Sequence, residues 1–274
     1  MSPKEIYYFL GRCLILGESP QAREEVVQGF AHPSFSWEQF VRVGSSHLVL
    51  PSLYVKLREE QLLSDLPEDL VVHLAEIFRL NTERNQNLLR QIHWLVALLE
   101  KADIKPILLK GSGALLTELY TDLGERVITD IDCLVPDKNF QKAVELLKEE
   151  GYQSPPFHPA SLPMMHHSPS LFKSGEPAKI EIHRIPVGRR QMKYMDLDSV
   201  TKQSLIPESR DQVLINVIHS QLKDKGQYYA NIPLRNIYEF YRLSKRQNLS
   251  QLKITQPRLK MVLNNYMACL LYTS

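Results

Sequence analysis

The spacing of apolar positions changes character twice along the chain. Up to about residue 103 it is helical. In 84-RNQNLLRQIHWLVALLEKA-102, Leu88, Leu89, Ile92, Leu95, Val96 and Leu99 recur at steps of three and four, which places them on one stripe of a helix. Shorter segments of the same kind precede it, 20-PQAREEVVQGF-30 and 67-PEDLVVHLAEIFRL-80, separated by Pro and Gly breaks. The first residues, MSPKEIYYFLGRC, offer Ser2 as a helix cap and Pro3 at the first helical position.

From residue 104 the segments shorten. The run 104-IKPILLKG-111 predicts a strand ending at glycine, followed by a Gly-Ser turn and a short helix capped by Ser112 and running to about Tyr120. After the polar turn 121-TDLGE-125 comes a second strand, 127-VITDIDCLVP-136, stopped by Pro136. In 138-KNFQKAVELLKEEG-151, Phe140, Ala143, Val144 and Leu147 form a helical stripe, and Gly151 supplies the stop. Five prolines make 153–169 an irregular loop, and 170-SLFKSGEPAKIEIHRI-185 reads as a β-hairpin. From about residue 196 the pattern is helical again, as in 210-RDQVLINVIHSQL-222 and 234-LRNIYEFYRLSKR-246, and the final CLLYTS carries no clear stop. The expected fold is α/β in the α+β sense. A small mixed β-sheet core, 104–195, is flanked by an N-terminal helical region, 1–103, and a C-terminal one, 196–274.

Composition narrows this picture only slightly. A chain of 274 residues that is 43% hydrophobic and 23% charged is globular in character. The formal net charge of +2 gives no argument for nucleic acid or an anionic membrane as partner. Cys13, Cys133 and Cys269 lie far apart, which speaks against a disulfide framework or a cysteine zinc site. No signal-peptide pattern and no apolar run of about 18–20 residues is present, so a cytoplasmic protein with no membrane association is expected.

The chemistry concentrates in 126-RVITDIDCLV-135. Aspartate is a poor strand former, yet Asp130 and Asp132 lie one residue apart in a β-branched run. In a strand, positions i and i+2 share a face with Cα atoms about 6.5–7 Å apart, so both acids point one way while Ile131, Cys133 and Val135 point to the core. Two ionised carboxylates so placed repel each other. A hard divalent cation, Mg²⁺ or Mn²⁺, would remove that cost. In 179-KIEIHR-184, Glu181 alternates with Ile180 and Ile182; if that strand lies beside the first, three carboxylates converge. Upstream, Gly111 and Ser112 form a strand-to-helix turn whose amides and hydroxyl suit a phosphate.

The series Gly-Ser on a helix start, Asp-x-Asp on a strand and an acid on a further strand resembles the polymerase-β-like nucleotidyltransferase superfamily. The longer pattern LLKGSGALLTELYTDLGERVITDIDCLV, then Gly151-Tyr152, HHSPSLF and IEIH, resembles a group known only as uncharacterised nucleotidyltransferases. The likeness covers roughly residues 104–185, more weakly the flanking helices including 234-LRNIYEF-240, and departs from the superfamily in placing Glu181 where an aspartate is common. The resemblance implies transfer of a nucleoside monophosphate from an NTP, ATP being the expected donor, to an acceptor hydroxyl with release of pyrophosphate. Asp130, Asp132 and Glu181 would hold the metal, Glu181 could help deprotonate the acceptor, and Lys110 or Arg126 would neutralise phosphate charge. The acceptor, a small molecule, a protein or an RNA end, stays open, as do the oligomeric state and the roles of His158, His166, His167 and His183. The alternative is a catalytically silent nucleotide-binding or scaffold protein of the same fold.

Overall fold

In the computed structural model, which describes all residues except 19, 157–164, 203–204, 230, 247–253, 255 and 274, Pro3–Leu14 (α1) starts on the expected cap. The Ser2 hydroxyl accepts the Glu5 amide, and the Glu5 carboxylate accepts the Ser2 amide, which satisfies two donors that a helix start leaves open. Then follow Pro20–Phe30 (α2), Trp37–Ser46 (α3), Leu50–Glu59 (α4) and the long Glu68–Lys101 (α5). Leu88, Ile92, Leu95 and Leu99 of α5 are fully buried, as their spacing predicts.

The sheet consists of Ile107–Leu109 (β1), Asp130–Leu134 (β2) and Lys179–His183 (β3), in the order β1-β2-β3. β1 runs antiparallel to β2, whereas β3 runs parallel to it, with Asp132 opposite Glu181. Lys110–Leu115 (α6) follows β1, and Phe140–Glu149 (α7) lies on the path from β2 to β3. Gly151 adopts φ +88 after α7, the left-handed stop expected of it. The C-terminal part contains Leu197–Lys202 (α8), Ser209–Val217 (α9), Gly226–Tyr229 (α10), Leu234–Arg246 (α11) and Pro257–Thr273 (α12), and α9 continues as a π-helix over Ile218–Lys223.

Two departures from the sequence expectation have physical causes. The second strand begins at Asp130 rather than Val127, because the carbonyls of Val127 and Ile128 are taken by arginine side chains instead of a neighbouring strand. The hairpin over 170–185 is reduced to single bridges: Leu171 and Ile180 exchange backbone bonds of 2.8 Å, and His167 faces His183. Pro169 and Pro177 lack the amide donors a longer ladder would need, so β3 finds its continuous partner in β2.

One face of β2 and β3 is core. Ile131, Cys133, Ile180 and Ile182 pack with Leu88, Ile92 and Leu95 of α5 and with Phe140 and Leu147 of α7. A second cluster joins both ends of the chain, with Ile6, Leu10 and Leu53 sharing a core with Phe240 and Tyr266. The acids therefore lie on the sheet face turned away from α5 and α7. Among the described residues no helix is long and apolar enough to cross a membrane.

α5 also holds the irregular segments that lead into the strands. Asn81 Nδ2 donates to the carbonyls of Gly124 (2.7 Å) and Arg126 (3.1 Å), and Asn85 Nδ2 to those of Leu123 (2.7 Å) and Arg126 (2.9 Å). Arg84 donates to the Ile128 carbonyl and, at 3.2 Å, to that of Pro177. Gln91 exchanges bonds with both backbone groups of Ala178, just before β3. Gly124 permits this close approach, since a Cβ there would lie 2.9 Å from the Phe78 carbonyl oxygen. Replacing Asn85 by Ala strands buried carbonyls and is expected to cost about 1–3 kcal/mol in urea unfolding; a loss within error of zero would show that the loop finds its order elsewhere.

Candidate active site

Asp132 is the meeting point of the site. Alternation in β2 turns it from the core, and the parallel register sets it opposite Glu181. Its Oδ1 accepts from Lys110 Nζ at 2.8 Å and from His183 Nε2 at 2.8 Å. Glu181 Oε2 lies 3.8 Å from His183 Nε2 and 3.7 Å from His167 Nδ1, while its Oε1 accepts the Ser170 hydroxyl at 2.7 Å. One ligating atom each from Asp132, Glu181 and His183 fall within 4.8 Å of one another.

The electrostatics of this group differ from bare carboxylate repulsion. Burial pushes the Asp132 carboxyl up, but the Lys110 ammonium and the His183 hydrogen bond outweigh it and hold the group well below the usual carboxylate range. Burial lowers the pKa of His183 despite its bond to Asp132. It is therefore a neutral imidazole that donates from Nε2, and its buried Nδ1 has no partner among the described residues. His166 is lowered to about 3 by burial and by His167, whose ring centroid lies 4.2 Å away.

Lys110 reaches Asp132 from a left-handed backbone, φ +51, a conformation that costs a residue other than glycine about 1–2 kcal/mol. Ser112 does not cap α6. The helix begins at Lys110 after Leu109, and Ser112 is wholly buried, its hydroxyl donating to the carbonyls of Leu109 (2.6 Å) and Asp132 (3.1 Å). It ties α6 to the sheet, with its hydroxyl occupied by these two carbonyls. Gly111 stands in the cavity wall, and a Cβ on Gly113 would lie 2.8 Å from the Leu108 carbonyl oxygen, so the tight turn needs the smallest residue there.

Beside Asp132 opens a cavity of about 360 Å³ walled by Lys110, Gly111, Asp130 and Asp132 on one side and by α9, the π-turn and α11 on the other. That is within the size range of small-molecule sites, about 300–1,000 Å³. Asp130 shares the face of Asp132 but remains apart from the ligating group, its Oδ1 accepting the Thr129 hydroxyl at 2.8 Å. Glu181 and His183 meet Asp132 outside the cavity wall. Of the four histidines left open, His166, His167 and His183 cluster here, and His158 lies outside the described residues.

Arg126 lines the same cavity, but its charge is committed. Its Nε donates to Glu239 Oε2 at 2.7 Å, both side chains being buried, and Asn216 Nδ2 donates to Glu239 Oε1 at 3.2 Å. The cation that the sequence reading missed is Arg235, on the opposite wall. It makes no ion pair among the described residues, and burial with the nearby Arg126 charge lowers its pKa to about 10, which leaves it charged at neutral pH. Asn216, His219, Asn236 and Glu239 were likewise given no role. Their signal was the helical spacing of Gln212, Asn216 and His219 among Val213, Leu214, Ile215, Val217 and Ile218, together with the polar residues of LRNIYEF.

A small mixed sheet thus sets acids on one face beside a cavity capped by C-terminal helices. The chain belongs to the uncharacterised nucleotidyltransferase family, whose model matches residues 33–261. No curated protein and no solved structure matches the chain.

The buried Arg126–Glu239 pair gives a direct test of which role Arg126 plays. Arg126→Met leaves Glu239 buried without its cation and is expected to cost about 3–5 kcal/mol in urea unfolding, with the double variant Arg126→Met/Glu239→Leu recovering much of it. Wild-type stability in the single variant would return Arg126 to the list of free phosphate ligands.

Proposed function

We propose that the protein transfers a nucleoside monophosphate from an NTP, with ATP the expected donor, to an acceptor hydroxyl, in the cavity beside Asp132. The observation that carries this reading is Asp132 set in register against Glu181 at the edge of a cavity that also holds unpaired cationic charge. In the reaction, the acceptor oxygen bonds to the α-phosphorus, the bond from that phosphorus to the bridging oxygen breaks, and pyrophosphate leaves. The acceptor proton passes to a carboxylate, for which Glu181 is the candidate.

The donor set fits a divalent cation. Two carboxylates and a neutral imidazole lie within 4.8 Å of one another, and the Lys110 ammonium already occupies a cation's place on Asp132. Mg²⁺ or Mn²⁺, held by the carboxylates of Asp132 and Glu181 with Asp130 nearby and His183 orienting Asp132, would supply charge neutralisation for the phosphates and a more acidic acceptor hydroxyl. Lys110 would then be free to bind phosphate, and Arg235 would hold the triphosphate from the facing wall. The Lys110–Asp132 ion pair also fits the silent alternative, in which nucleotide binds without turnover.

Labelled NTPs supplied with Mg²⁺ or Mn²⁺ and a host lysate distinguish the two readings. Label should pass to an acceptor, EDTA should abolish the transfer, and Asp132→Asn and Glu181→Gln should each lower the rate by at least about a hundredfold, the usual scale for a lost acid–base or charge-stabilising group. Wild-type rates in both variants would remove these acids from the mechanism.

Arg235→Gln is expected to weaken NTP binding about tenfold or more, the scale of one hydrogen bond to a charged group, with unfolding stability little changed because no carboxylate loses its partner. Unchanged affinity in a calorimetric titration would exclude Arg235 from the triphosphate site.

A further inference from the structure

A second and larger cleft, of about 1050 Å³, adjoins the catalytic cavity and has a different chemistry. Arg190, Lys193, Lys223, Lys225 and Arg258 line it, and no carboxylate does. None of the five makes an ion pair among the described residues. Lys223 contacts His219 at 3.2 Å, Arg258 contacts Gln227 at 3.4 Å, and Lys193 lies 5.2 Å from the ring centroid of Tyr194. Five positive charges with no carboxylate among the lining residues make this face locally basic, although the whole chain carries only a net +2. Such a concentration raises the local density of anions and guides them inward.

The cleft also carries flat and amide side chains. Tyr228 is 82% exposed at its edge, an unusual position for a large aromatic ring, and Tyr194 lines the wall with Gln191, Gln221 and Gln227. Cations in the company of an exposed tyrosine suit a strand whose phosphates need neutralising and whose bases have free π-faces. A duplex stacks its bases internally and would leave Tyr228 unused, and an acidic peptide would use the cations but not the ring.

The π-turn and the residues after it form the wall between the two spaces. Ser220, Asp224 and Gly226 face the catalytic cavity, while Gln221, Leu222, Lys223, Lys225 and Gln227 face the basic cleft. The cleft and the cavity that holds Asp130 and Asp132 are therefore neighbours across this single turn.

We infer that this cleft binds single-stranded nucleic acid and presents its terminal hydroxyl to the catalytic cavity as the acceptor. The acceptor role rests on the transfer reaction proposed above; the binding does not. The net charge of the whole chain, which gave no argument for such a partner, conceals the local face.

The test is fluorescence anisotropy of a labelled single-stranded oligoribonucleotide of about ten nucleotides, within the usual site sizes, in EDTA and without NTP. Arg190, Lys193, Lys225 and Arg258 are exposed, so charge reversal there leaves the core untouched, which circular dichroism verifies. Lys193→Glu/Arg258→Glu should weaken binding at least tenfold, and Tyr228→Ala about tenfold through lost stacking. The slope of log affinity against log salt should be about −3.5 for the wild type and about −2 for the double variant. No binding at low salt, or equal binding by wild type and double variant, overturns the inference. So does an unchanged affinity in Tyr228→Ala combined with equal competition by inorganic polyphosphate, which would mark a phosphate-chain site. Cleft-dependent binding without nucleotide transfer would sink the catalytic reading alone, and transfer to another acceptor with no strand binding would sink this one alone.

Discussion

Side-chain amides on α5 decide where the two acid-bearing strands enter the sheet. β2 and β3 are five residues each, and parallel strands that short have little independent stability. Their entry segments are irregular, and buried irregular backbone needs partners for its carbonyls. Asn81, Arg84 and Asn85 supply them before β2, and Arg84 and Gln91 do so before β3. The apolar stripe of α5 packs under the sheet while this polar stripe fixes its approach, so one helix sets both the depth and the register of the site.

Given that register, the ion cluster follows. Asp132 is nearly dry, yet it stays ionised because Lys110 and His183 share one of its oxygens. Taking a carboxylate out of water costs several kcal/mol, and the left-handed strain at Lys110 is a local part of what places the compensating charge. Such strain persists only where the surroundings over-determine it, and here Ser112 locks the turn from inside through two carbonyls.

Much of this was legible in the sequence because the deciding signals are local. The cap at Ser2, the stripe of α5, the stop at Gly151 and the alternation that places Asp130, Asp132 and Glu181 on the outer face all depend on neighbours in the chain. The rest depends on contacts between distant segments. Arg126 reads as a free phosphate ligand until Glu239, more than a hundred residues on, arrives beside it. Ser112 reads as a cap until the carbonyl of Asp132 accepts its hydroxyl. Repulsion between Asp130 and Asp132 reads as the main cost until a lysine and a histidine settle on one of them. The second wall of the cavity, from α9 and α11, carries its polar residues singly among apolar ones, a pattern that looks like core until the helices are docked.

The crossing from β2 to β3 has a consequence for how this site can vary. Between the two strands the chain runs through α7, and the pairing of Asp132 with Glu181 is set by the register of the strands themselves and not by the number of residues between them. Within Lys179–Glu181 the number does matter. Because side chains alternate from face to face, a deletion of one residue would turn Glu181 into the space now filled by Ile180 and Ile182 and bring an isoleucine out beside Asp132. Three consecutive positions of β3 thus admit substitution but no change of number.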